Sequence, residues 1–181
     1  MAVLAFGLII SAPLMAAEEK GRPDILNILT ARLATAANAE EAEEIAEAME
    51  EVYSESQSPS AEELVSQSRL VILDGDERVA LYKLDRALIL DQNLVAAYVL
   101  RGEVHLSAGR TNAAFADAME AVERAPDYYA GLALLARTFE LRGHSASALA
   151  TSQQALTYYP LSEELQEQLA RHQTQAAGAG L

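Results

Sequence analysis

GRTNAAFADAMEAVERAP, residues 109–126, opens on glycine, places alanine five and twelve residues later and closes on proline. The frame recurs 34 residues on, in GHSASALATSQQALTYYP at 143–160, and 34 residues earlier, in GDERVALYKLDRALILDQ at 75–92. Gly75, Gly109 and Gly143 are therefore in phase with Ala80, Ala114 and Ala148, and with Ala87, Ala121 and Ala155. Pro126 and Pro160 complete the frame, and Gln92 replaces proline in the first copy. A fixed period of helix, glycine turn, helix and proline marks a stacked helical repeat. One such unit cannot bury its apolar face alone, so neighbours nest into a solenoid. The expected fold is an all-α superhelix of three helix-turn-helix repeats. Such a stack offers a surface for holding another molecule and no built-in chemistry.

Composition agrees. Apolar residues make up 51% of the 181-residue chain but aromatic ones only 6%, with no tryptophan. That suits close-packed, alanine-rich helices better than a β core. Twenty-seven acidic against 13 basic residues leave a formal charge of −14. Binding bare nucleic acid requires cations to neutralise phosphates, so nucleic acid is a poor partner, and so is an anionic membrane surface. The acids concentrate between residues 18 and 63, where helices would carry them on a face that either meets water or docks a basic partner. Solvation is the simpler reading. Without cysteine there are no disulfides, thiolate metal sites or cysteine nucleophiles.

The first residues read as a leader. Met1 to Ala17 has no charged side chain; Val3 to Ile10 is apolar almost throughout, and Ser11-Ala12-Pro13 breaks the run before Leu14-Met15-Ala16-Ala17. This predicts a secretory signal over residues 1–17, cleaved after Ala16 or Ala17, although no base precedes the apolar run. The run is too short to span a bilayer, so no membrane insertion of the mature chain is expected. The expected location is periplasmic.

An acidic helical pair should fill residues 18–59. Pro23-Asp24 opens one helix, and Asn38 with Glu41 forms an N-cap and capping box for a second. Ala42, Ile45, Ala46, Met49, Val52 and Tyr53 give that helix an apolar stripe. The pair is expected to cover the first repeat. Ser60 with Glu63 predicts the cap of the next helix, and the register then runs 61–94, 95–128 and 129–162. Each glycine falls where a first helix ends, because a left-handed C-cap penalises residues with a Cβ. Asp76, Thr111 and Ser145 are the expected N-caps of the second helices. Ser162 should start a capping helix carrying Leu165, Leu169 and His172 on one face, followed by a flexible Ala/Gly-rich tail from Thr174 to Leu181.

Over residues 60–162 the pattern resembles the tetratricopeptide repeat. The second copy supplies Tyr98, Gly102, Ala114, Ala121 and Pro126. The third supplies Leu132, Leu135, Ala136, Phe139, Ala148, Ala155 and Pro160; the first, a weaker match, has Leu64, Val71, Ala80, Leu84 and Ala87. Arg101, Gln67 and Ser68 depart from the pattern, and His105 replaces an aromatic residue. With its acidic pair in front, the chain also resembles small exported bacterial repeat proteins. The resemblance implies a concave wall built from the first helix of each repeat: Glu62, Val65, Arg69, Ile72 and Leu73; Ala96, Val99, Glu103, Leu106 and Ser107; Ala130, Ala133, Arg137, Glu140 and Leu141. Arg69, Glu103 and Arg137 would form an alternating charge ladder there, flanked by Val65, Ile72, Val99 and Leu106. The lysine and asparagine of the family's carboxylate clamp are missing, which disfavours chaperone C-terminal tails.

Little else points to chemistry. His105, His144 and His172 share no ligand spacing, and His105 falls where a core side chain belongs. Asp74-Gly75-Asp76-Glu77 lacks the twelve-residue pattern of a calcium loop and reads as a turn. Phosphate loops, nucleophile elbows and zinc helices are missing from the sequence. Glu40 and Glu44 lie on an exposed stripe with nothing to separate their pKa values. The expectation is a non-enzymatic, cofactor-free and metal-free interaction or assembly module. It would hold a protein or peptide segment in its groove; the alternative is an accessory protein that forms a homodimer through that groove.

Overall fold

The computed structural model describes residues 22–178; the expected leader lies outside them. Among the described residues are nine helices and no strand. They are α1 (Arg22–Ala34), α2 (Ala39–Ser54), α3 (Pro59–Leu73), α4 (Glu77–Leu90), α5 (Val95–Ser107), α6 (Thr111–Arg124), α7 (Tyr129–Leu141), α8 (Ser145–Tyr158) and α9 (Glu163–Gly178). Helices α3/α4, α5/α6 and α7/α8 are three stacked hairpins, preceded by the acidic pair α1/α2 and capped by α9.

The periodic glycines make the hairpins. Gly75, Gly109 and Gly143 have φ of 79°, 71° and 76°, and no other described residue has positive φ. In each turn the amide of the residue after glycine bonds the carbonyl five residues back: Asp76 to Val71 at 3.2 Å, Arg110 to His105 at 2.8 Å and His144 to Phe139 at 2.9 Å. The glycine amides bond Ile72, Leu106 and Glu140 at 3.0, 3.0 and 2.9 Å, completing Schellman motifs that satisfy the helix's last carbonyls. This closure fixes where the next helix starts. The N-cap is the residue directly after glycine, so Arg110 and His144 occupy it, and Thr111 and Ser145 are the first helical residues. Only Asp76 caps as expected, accepting from the Val79 amide at 3.1 Å.

Other helix ends follow local chemistry. Asn38 accepts from the Glu41 amide at 2.9 Å, while the Glu41 carboxylate reaches the amide of Ala37 instead of Asn38. Pro59, which cannot donate a backbone hydrogen bond, starts α3 one residue before Ser60. Ser60 is therefore inside the helix, and Glu62, not Glu63, reaches back to the Ser56 amide at 2.6 Å. Helix α9 persists to Gly178 with Ala176 buried, so residues 174–178 are helical and not a loose tail.

Small residues sit where helices cross. Ala80, Ala87, Ala114, Ala121, Ala148 and Ala155 are all fully buried. Gly102 lies so close to α7 that an added Cβ would collide with Leu134 Cδ2 and stand 3.3 Å from Asp117 Cβ. Arg101, which departs from the repeat pattern, is accommodated by ion pairs. It binds buried Asp117 at 2.6 Å and Asp85 at 2.8 Å. Burial works against its charge, but the two carboxylates overcome this and raise its pKa.

The N-terminal pair does not sit on the end of the first repeat. Helix α2 lies against α5, and α1 reaches α8. Leu33, Ile45, Met49 and Tyr53 share a core cluster with Val65, Ala96 and Tyr128, so the pair crosses the starting ends of the concave-wall helices. The Tyr53 and Tyr128 rings pack with centroids 4.1 Å apart. Thr30 and Tyr53 donate hydrogen bonds to the Asp127 carboxylate at 3.3 and 3.4 Å.

Two glycine substitutions separate backbone from packing effects. Gly109→Ala, with open space around the new methyl, should cost about 1–2 kcal/mol through the left-handed backbone alone. Gly102→Ala should also destabilise, by about 1–3 kcal/mol from overpacking, despite a helix-propensity gain of about 1 kcal/mol. Denaturant unfolding of the two variants measures both.

Candidate partner-binding cleft

The concave wall survives as a cleft between α2 and α9, with α5 and α7 as its floor. It encloses about 290 Å³ and is lined by Val99, Leu100, Tyr129, Ala130, Ala133 and Leu165 among apolar groups. Glu50, Arg69, Glu103, Arg137 and Glu164 supply its charges. Of the candidate groove residues, Arg69, Val99, Glu103 and Arg137 line this cleft together. Val65 is buried in the main core, and Leu106 is buried with Ala114, Ala118, Leu134 and Leu135. Ile72 is half-buried outside the cleft, and Glu140 is engaged by the capping helix.

The charge ladder is broken. Arg137 bonds Glu103 at 2.6 Å, as its 34-residue offset suggests. Arg69 turns away to Glu50 on α2 at 3.1 Å and to the Ser54 hydroxyl at 3.1 Å. It thus tethers α2 to α3. Arg137 uses one terminal nitrogen on Glu103, which leaves the rest of its guanidinium facing the cleft. Burial pushes the Glu103 carboxyl up, and Arg137 opposes that shift.

Glu50, Tyr129, Glu164 and Leu165 escaped the sequence reading as cleft residues because three of them belong to α2 or α9, whose docking is non-local. Tyr129 had a signal, in the Tyr128-Tyr129 pair after Pro126. Its ring now packs edge-on against Tyr128 and Tyr159, at 5.3 and 5.0 Å.

His105 is half-buried, accepting from Arg110 Nε at 3.0 Å and lying 4.0 Å from Asp117; burial pushes its pKa down. His144 is exposed in its turn. His172 is different. Its Nδ1 lies 2.6 Å from the Ser152 hydroxyl and its Nε2 3.0 Å from Glu140. With Glu140 ionised, Nε2–H donates to the carboxylate and Nδ1 accepts from Ser152. The order resembles a hydrolytic triad, but Ser152 and His172 are 1% and 0% exposed. No substrate reaches the serine, so the three groups serve to bolt α9 onto α7 and α8. Gln175 adds a 2.5 Å bond to Glu140, and Gln168 donates to the Ala133 carbonyl at 2.9 Å. Among the described residues no cluster of His, Asp or Glu could hold a metal ion, and no helix is long and apolar enough to cross a membrane.

Paired helices stacked on glycine turns, with a cleft on the wall of first helices, define a tetratricopeptide-type superhelix. Two solved structures of MamA, a protein containing such repeats, share the fold. The MamA RS-1 ArsTM double mutant is 19% identical with a TM-score of 0.57, over 87% of this chain and 90% of that one. A crystal structure of MamA is 18% identical with a TM-score of 0.51, over 88% and 86%. Neither a family model nor a curated protein matches the sequence.

The bolt makes a pH-dependent prediction. His172→Ala should cost about 2–3 kcal/mol, because it opens a cavity and strips Ser152 of its partner. Although burial raises the Glu140 pKa, hydrogen bonds from His172 and Gln175 outweigh it and lower the value below its ordinary 4.5. The contribution is therefore complete above the unfolded pKa and is lost as pH falls through the lower folded value. Thermal unfolding between neutral and acid pH should show Glu140→Gln flattening that acid limb.

Proposed function

We propose that the chain is an interaction module that holds a short segment of another protein in the cleft between α2 and α9. The observation that carries this reading is the cleft itself: an apolar floor of Val99, Tyr129 and Ala133 beside a guanidinium with donors to spare. Such a site takes an apolar side chain on the floor while Arg137 donates to a neighbouring carboxylate or carbonyl of the segment. Its volume suits a few residues rather than a whole helix. Arg69 has a different role, since it holds α2 in place and α2 forms one wall.

The second part of the reading is export. Residues 1–17 direct the chain to the cell envelope, and the mature protein begins near Glu18. Fusing this leader to a reporter active only after translocation tests it directly; activity that survives deletion of the leader would remove this part.

Cleft binding is tested by cross-linked capture from envelope extract, identifying the partner by mass spectrometry. Arg137→Ala should lower capture of that partner about tenfold while changing stability by about 1 kcal/mol, as for a half-exposed ion pair. Arg69→Ala should lower the melting temperature as well, because α2 loses its tether. Equal capture by wild type and Arg137→Ala would overturn the cleft assignment.

A further inference from the structure

Among the described residues, the first hairpin is the one whose outer side stays bare. Helices α5 and α6 lie between α4 and α7, while α7 and α8 lie between α6 and α9. Helices α3 and α4 have α5 on one side, but α2, which precedes them, packs on α5 across the concave wall. Five of the eight large apolar side chains left exposed among the described residues belong to this hairpin. They include Leu70 and Leu73 on α3, 64% and 83% exposed, and Tyr82 and Ile89 on α4, 65% and 68% exposed. Tyr82, Arg86 and Leu90 border a trough of about 630 Å³ that Leu64 also lines, with Glu63, which accepts from Gln67, on its α3 side.

The charges on this flank are as unusual as its apolar surface. Arg78 and Arg86 stand one turn to either side of Tyr82, both exposed, and neither forms an ion pair among the described residues. The acids of the same helix are already engaged by the second repeat: Asp85 binds Arg101 at 2.8 Å and Glu77 binds Arg110 at 3.6 Å. A chain with a net charge of −14 thus leaves two unpaired guanidinium groups on the hairpin that carries most of the exposed large apolar side chains among the described residues.

We infer that this flank is a second docking surface, distinct from the cleft and independent of it, for an acidic amphipathic helix of a partner protein. A helix fits because each other hairpin boundary in the stack is sealed by one: α5 on α4, α7 on α6 and α9 on α8. Acidity fits because Arg78 and Arg86 lie eight residues apart, roughly 12 Å along α4. Carboxylates two turns apart on an antiparallel partner helix meet both, with apolar side chains between them on Tyr82 and Ile89. Exposed apolar patches rimmed by charge are a mark of interaction sites.

The test uses fluorescence anisotropy with the full chain and two labelled synthetic helices of about 18 residues. One carries leucine at every third or fourth position and glutamate beside it; the other has lysine for each glutamate. The glutamate helix should bind at least about tenfold more tightly than the lysine helix, with the preference weakening in salt. Arg78→Glu with Arg86→Glu should reverse that preference, Tyr82→Asp should weaken binding about tenfold, and Arg137→Ala should leave it unchanged. All three positions on α4 are exposed, and circular dichroism checks that each variant is folded. Equal affinity for both helices, no binding of either, or loss of binding in Arg137→Ala would overturn the proposal. So would sedimentation showing that wild type self-associates and Tyr82→Asp does not, which would assign the flank to a second copy. Preferential binding of the flank to anionic vesicles over the glutamate helix would overturn it as well.

Discussion

Helices α3 to α8 can lie as close as they do only because the residues at their crossings carry no more than a methyl group. Six alanines in phase are wholly buried, and Gly102 faces Leu134 with no room for a Cβ. Close approach at a fixed period leaves each hairpin displaced from the last by the same small rotation, which ranges α3, α5 and α7 side by side as one wall. That wall presents Val65, Ala96, Val99 and Tyr129 together. Apolar positions so aligned must be covered or used. Helix α2 covers the starting ends of the wall helices, and the cleft is the part left uncovered.

The position of α1 and α2 follows from what that wall offers. Stacked on the end of the first hairpin, α2 would bury its stripe against a single repeat. Laid across the wall, Ile45, Met49 and Tyr53 reach residues of three repeats, and Asp127 satisfies both Thr30 and the Tyr53 hydroxyl. Arg69 adds a polar tie through Glu50 and Ser54. The glutamates of α2 then point outward, including Glu40, Glu43, Glu44, Glu47 and Glu51, all exposed. Amphipathicity alone is compatible with both placements; contacts remote in sequence decide between them. Among the described residues, the same choice leaves the outer flank of α3 and α4 bare.

What could be read from the sequence was whatever is settled within about five residues. Glycine at the left-handed position, proline after the second helix and the Asn38 cap each act on their own turn. The misplaced caps show the limit of that reading. Thr111 and Ser145 are better capping residues than Arg110 and His144, yet the Schellman closure sets the cap one residue after glycine whatever stands there. Pro59 overrides Ser60 in the same way. The cleft was half legible: Arg137 and Glu103 are one repeat apart and meet as the period implies. Arg69 seemed equivalent but found Glu50, 19 residues before it, and His172 found Glu140 across 32 residues. Partners supplied by helices outside the period leave no trace in it.

The distribution of charge bears on both surfaces. Helix α2 carries seven glutamates and no base, and its exposed row borders a trough with Glu47, Glu51, Glu55 and Glu62 beside the cleft. Screening confines this field to about 8 Å at physiological salt, so it acts on segments already close to the surface and not on distant ones. An acidic helix approaching from the α2 side meets carboxylates before it meets Arg137. Arriving at α4, it meets Arg78 and Arg86 first. A neutral or basic segment has the opposite experience. Like-charge contacts discriminate by raising the cost of the wrong encounter more than by strengthening the right one. On the proposed reading, the acidic rim of the cleft and the two arginines of α4 give the stack a means to sort two partners without either competing for the other's place.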